Sequence, residues 1–152
     1  MPGVAHHRIV DSSGGTPFED DADHGRILIP GVATNNAYSL MELTVAPRAV
    51  DSGFGAHTHN DIDEVFVLRQ GTIDFLLDDD LMTITPGDVV RVPAGTRHGY
   101  RNTSDEPAEM LVWFSPGGFE ELFVTYRTDQ PSPDSQGFVA EAITKFNSSF
   151  EP

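Results

Sequence analysis

The chain has no cysteine in its 152 residues. That absence removes disulfides, a thiolate nucleophile and thiolate metal ligands together. Basic residues are also scarce: 9 Lys and Arg stand against 24 Asp and Glu, for a formal net charge of -15. Without a Lys/Arg stripe to displace counterions, such a surface repels phosphate backbones and anionic head groups. Neither nucleic acid nor a membrane is therefore an expected partner. Long apolar runs are missing as well. A stretch such as Met110 to Phe114 falls far short of the ~20 residues that cross a bilayer. The first residues hold no apolar core ahead of a cleavage site, so they do not read as a signal peptide, and the expected setting is cytoplasmic.

What remains is a turn-rich globular composition, 38% hydrophobic and 22% charged, with 14 Gly and 11 Pro. One domain of this length buries ~70% of the surface its unfolded chain exposes, and needs no metal to fold. Residues 1–25 are polar, Gly-rich and then acidic, and are expected to be a loosely structured arm. His6, His7 and His24 lie in it and are expected to be solvated. Residues 26–116 alternate short β-prone runs with turn clusters, the pattern of a sandwich or barrel. Strands are expected at 27–29, 37–46, 54–59, 63–69, 72–77, 81–85, 89–92, 97–101 and 109–115. Residues 117–152 change period. Phe119, Leu122, Phe123 and Tyr126 share one helical face, and Phe138, Val139, Ala142, Ile143 and Phe146 share another. The fold class is thus all-β, with two helices packed on the barrel.

The chemistry-bearing residues cluster in the β region. His57 and His59 leave the same face of a strand. Glu64 follows across Asn60 to Asp63, which reads as a tight hairpin returning the carboxylate beside them on an adjoining strand. His98 follows another corner, Pro93 to Thr96. Three imidazoles and one carboxylate suit a divalent first-row metal, and four protein ligands leave coordination positions open for substrate. By alternation, Phe66 and Leu68 point inward with Glu64, and Tyr100 and Asn102 with His98. Met41, Phe66, Phe75 and Tyr100 are the expected pocket wall, aromatic and aliphatic around one ion. That wall suits a flat, apolar small molecule with an oxygen that can reach the metal. Asn102 is expected to close a turn through backbone bonds. Asp61 and Asp63 are expected to be solvated turn residues. Asp78 to Asp80 lacks the spaced ligands of a calcium loop and reads as a hairpin tip.

The pattern His57-Thr-His59, four residues, Glu64, six residues, Gly71 resembles the first cupin motif. Gly87, five residues, Pro93-Ala-Gly95, two residues, His98, three residues, Asn102 resembles the second, after a 15-residue gap. One departure is Asp51, at a place where the family carries glycine. The resemblance, spanning about residues 37–116, implies a single jelly-roll (double-stranded β-helix) barrel. It also implies a metal held by His57, His59, Glu64 and His98. Iron, manganese, cobalt, nickel and zinc all accept this donor set. Gly71 and Gly87 are expected at hairpin corners with positive φ. Together with Ser115-Pro-Gly-Gly-Phe119, the motifs resemble the quercetin-dioxygenase-like group of small bacterial cupins, often homodimers. The expected function is a metal-dependent dioxygenase acting on a small aromatic or enolic molecule and dioxygen, with Glu64 as ligand and catalytic base. The alternatives are a non-redox cyclase, isomerase, dehydratase or lyase of the polyketide-cyclase kind, and a non-enzymatic ligand-binding cupin.

Overall fold

The computed structural model describes residues 9–19, 22–50, 55–126 and 135–151. In order, the strands are β1 (Thr16–Glu19), β2 (Asp23–Ile29), β3 (Ser39–Val45), β4 (His57–His59), β5 (Asp63–Gln70), β6 (Ile73–Leu77), β7 (Asp80–Ile84), β8 (Val89–Val92), β9 (Arg97–Arg101) and β10 (Ala108–Ser115). Helices α1 (Glu121–Tyr126) and α2 (Ser135–Phe146) follow, and then β11 (Ser148–Phe150). Two antiparallel sheets face one another as a jelly roll. One runs β1-β2-β3-β10-β5-β8 and the other β11-β4-β9-β6-β7.

Alternation explains why these segments are strands with one dry face. In β5, Glu64, Phe66 and Leu68 are buried while the residues between them are partly exposed. In β10, Ala108, Met110, Val112 and Phe114 do the same. These side chains meet Met41, Leu43, Ile73 and Phe75 between the sheets in one continuous core. Seven expected strands match within two residues at each end; the expected 27–29 strand starts earlier, at Asp23, as β2, and the expected 54–59 strand is observed as β4, with residue 54 outside the described residues.

Three expectations need correction. The arm over residues 1–25 is not loose where it is described. β1 and the start of β2 pair, with Phe18 opposite Gly25, and Phe18 and Ile27 are buried in the core. His6 and His7 lie outside the described residues. Second, residues 60–63 are not a hairpin: β4 and β5 belong to opposite sheets. The turn carries the chain across the barrel, so Glu64 looks at the histidines from the facing wall. Third, Gly71 and Gly87 have the expected positive φ, 78° and 97°, but they serve corners between sheets. At Gly71 any Cβ would lie 2.5 Å from the Pro107 carbonyl oxygen, which explains glycine there. The 117–152 segment forms both expected helices and, beyond them, an unforeseen strand: β11 pairs with β4 at the edge of the second sheet.

Candidate metal centre

His57 and His59 project from β4 and His98 from β9, and the two strands pair with His57 opposite His98. One ligand atom from each of the three imidazoles lies within 4.8 Å of the others. Glu64 completes the group from β5. Its Oε2 is 2.7 Å from His98 Nε2, and its Oε1 is 3.4 Å from His59 Nε2. His59, Glu64 and His98 are 2%, 3% and 1% exposed, too dry for water to solvate their polar atoms.

The outer nitrogens are each pinned. His57 Nδ1 lies 2.9 Å from the Gly55 carbonyl, and His98 Nδ1 lies 3.0 Å from the Thr96 carbonyl. Carbonyls only accept, so both Nδ1 atoms carry hydrogen and the Nε2 atoms are turned toward the cavity. His59 Nδ1 lies 2.7 Å from the Ser148 hydroxyl. Fixing the outer nitrogen in this way orients a metal ligand and raises its basicity.

Electrostatics agrees with that picture. Burial drives His57 down to a pKa of about 3, helped by the neighbouring imidazoles. Burial likewise lowers His59, with Glu64 opposing. For Glu64, burial alone would raise the carboxyl; the charges on His59 and His98 outweigh it and hold it at about 2. His98 goes up: burial opposes, but the Glu64 carboxylate wins. Despite their 2.7 Å separation, Glu64 Oε2 and His98 Nε2 have no hydrogen-bond partner of good geometry. A buried acceptor and a buried imidazole nitrogen left in that condition are what a shared cation would satisfy. The residues fit a divalent metal.

The walls continue the same logic. Met41, Phe66 and Tyr100 line the cavity as expected, and Phe75 does not. Phe75 packs behind Phe66 instead, ring centroids 4.9 Å apart. Further lining comes from the segment after the barrel, Phe119, Phe123 and Phe138 from the two helical stripes and, unforeseen, Phe150. The free space within it is about 30 Å³, room for a water or two. Asn102 closes its turn as expected, donating to the Glu106 and Val45 carbonyls and accepting from Ser104. Asp63 and Asp61 are tied down. Asp63 accepts from the Ala94 amide in the corner before β9, and Asp61 accepts from Asn147. Two further buried carboxylates escaped sequence reading. Asp23 receives the Tyr100 hydroxyl at 3.5 Å, and Glu120 accepts from the Gly31 and Gly118 amides at 2.6 Å each. Their partners lie far off in sequence or in backbone, so no local pattern marks them.

Residues 41–114 match the Cupin_2 family, described as a cupin domain. Quercetin 2,3-dioxygenase of Bacillus subtilis is 31% identical over 69% of this chain and 31% of its own length. A vicilin-like seed storage protein of Arabidopsis thaliana is 31% identical over 82% of this chain and 26% of its own. The chain thus spans about a third or less of these relatives. Among solved structures, a predicted oxalate decarboxylase from Thermotoga maritima superposes with a TM-score of 0.63 at 22% identity, covering 71% of this chain and 98% of that one. At that identity the likeness speaks for the fold.

Proposed function

The chain belongs to the cupin superfamily, and from that premise we propose that it is a metal-dependent dioxygenase for a small aromatic or enolic substrate. His57, His59 and His98 would hold the ion as neutral imidazoles, with Glu64 as fourth ligand and catalytic base. Iron, manganese, cobalt, nickel or zinc suits this donor set; the redox-active members suit the dioxygenase reading. When bound, such a metal acidifies a coordinated substrate hydroxyl and provides the place where dioxygen and substrate meet. Glu64, beside the imidazoles of His59 and His98, then takes the hydroxyl proton. The apolar wall of Met41, Phe66 and Tyr100 orients a flat ring and keeps bulk water away.

The observation that carries this reading is the meeting of four separated side chains around a dry point at which Glu64 Oε2 and His98 Nε2 are otherwise unsatisfied. The Bacillus subtilis relative supports the choice of reaction. The test is elemental analysis of wild type and His57→Ala, followed by oxygen-electrode assays over flavonols and catechols. One bound metal lost in the variant, with metal-dependent oxygen uptake, is the expected result. Absence of metal-dependent uptake with every substrate would refute the dioxygenase.

The Tyr100 hydroxyl on the cavity wall, in contact with the buried Asp23 carboxylate, favours a second reading. There Glu64 and Tyr100 move protons on a carbonyl compound with no redox change, as in a cyclase, isomerase or lyase. Turnover under nitrogen with zinc in the site would select it. Ligand binding without turnover in either assay would leave a binding cupin, and the seed storage relative fits that outcome.

A further inference from the structure

One wall of the cavity runs through a ligand. Among the described residues β11 is a three-residue edge strand paired with β4, Ser148 opposite His59 and Phe150 opposite His57. Phe150 lies over His57 in a near-parallel stack, 5.5 Å between centroids and 21° between planes, and lines the cavity. The Ser148 hydroxyl, 5% exposed, meets His59 Nδ1 at 2.7 Å and its own proton is directed to the Phe146 carbonyl at 3.4 Å. That leaves the hydroxyl lone pairs for an Nδ1–H of His59 and frees His59 Nε2 to face the cavity. The strand is fastened at both ends to the corners that carry ligands. The Asn147 carbonyl accepts from Asn60, and Glu151 pairs with Arg97, next to His98.

A space of about 30 Å³ is too small for an aromatic ring; ligand sites run to hundreds of cubic ångströms. Part of the roof must move. Phe119 and Phe138 are buried in the continuous core, whereas Phe150 is only partly buried against it, on an edge strand.

We propose that β11 is a working part of the metal centre: Ser148 is the positioning residue that holds His59 in its ion-facing tautomer, and Phe150 on the same strand is the movable roof. Admission of an aromatic ligand and loosening of His59 are then one motion. This inference rests on the metal-site reading above.

The test uses Co(II) as the metal probe and 4-nitrocatechol as a chromogenic aromatic probe. Ser148→Ala is expected to weaken Co(II) binding by about 10- to 100-fold, in the range for lost partners of metal-bound histidines. Ser148→Thr restores the hydroxyl and is expected to restore affinity and the visible Co(II) spectrum. Phe150→Ala is expected to bind 4-nitrocatechol faster than wild type, as for removal of a gate, with Co(II) affinity measured in parallel. Nitrogen-15 spectra of the metal-free wild type supply a readout that needs no variant: His59 should carry its proton on Nδ1. An Nε2–H tautomer, unchanged Co(II) affinity in Ser148→Ala, or an unchanged 4-nitrocatechol rate in Phe150→Ala would overturn the proposal. Failure of the wild type to bind Co(II) at all would instead overturn the metal site itself.

Discussion

Glu64→Gln keeps the shape of the side chain and removes its charge, so it separates the roles of ligand and base. His98 then loses the carboxylate that raises its pKa, and three imidazoles alone must hold the ion. Retained but weaker metal binding, with turnover reduced by about 100-fold or more, is the expected result. Turnover close to wild type would remove Glu64 as the base. The metal-free site also predicts an acid limb. An unfolded histidine takes up a proton near pH 6.5, whereas folded His57 refuses it until about 3, and His59 shifts the same way. Stability is therefore whole above pH 6.5 and falls as pH drops towards 3, by up to about 1.4 kcal/mol per pH unit for each proton withheld. Glu64, held at about 2, adds its own loss below 4.5, where the unfolded carboxyl protonates. His98 has the opposite sign: its contribution is complete below 6.5 and fades as pH rises through its elevated folded value. Urea melts of chelator-treated protein between pH 7 and 5 should thus already lose stability before carboxylates titrate. A flat profile over that range would contradict the buried, neutral histidines.

Among the elements, the strands were legible because burial imposes a period of two on them. Glu64, Phe66 and Leu68 alternate as a sequence reader expects, and that alternation set the site's inward face. Which sheet each strand joins was not legible. A short connection such as 60–62 serves a hairpin or a crossing equally well, and only the partner strands decide. β11 was hidden for a related reason: Ser148 to Phe150 is too short for a period, and its meaning comes from pairing with β4, 89 positions away at Ser148 and His59. Glu120 shows the same limit. It ties the entry to α1 to the backbone at Gly31 and is fully buried. Glu120→Ala strands two amides in a dry place, and we expect a loss of about 2–4 kcal/mol, from the cost of unsatisfied buried donors. A calorimetric melt within a degree of wild type would show that those amides find other partners.

At the scale of the whole molecule, the barrel's cohesion is separable from its chemistry. The buried hydrophobic core extends from Phe18 through Val45, Met110 and Leu122 to Ala142, and most of it lies beyond the histidine cluster. No helix among the described residues is long and apolar enough to cross a membrane, so the apolar side chains serve this interior. Removal of a metal should therefore cost stability without abolishing the fold. A ligand at a thousand times its Kd stabilises by about 4 kcal/mol, and for a domain of this size each kcal/mol moves Tm by about 2–4 °C. Chelation of a tightly loaded protein is expected to lower Tm by about 10 °C while the far-UV spectrum at room temperature stays that of a β-protein. Loss of that spectrum on chelation would make the ion a structural one, and the closed, unsatisfied cluster of His98 and Glu64 would then be a folding nucleus in place of a catalytic centre.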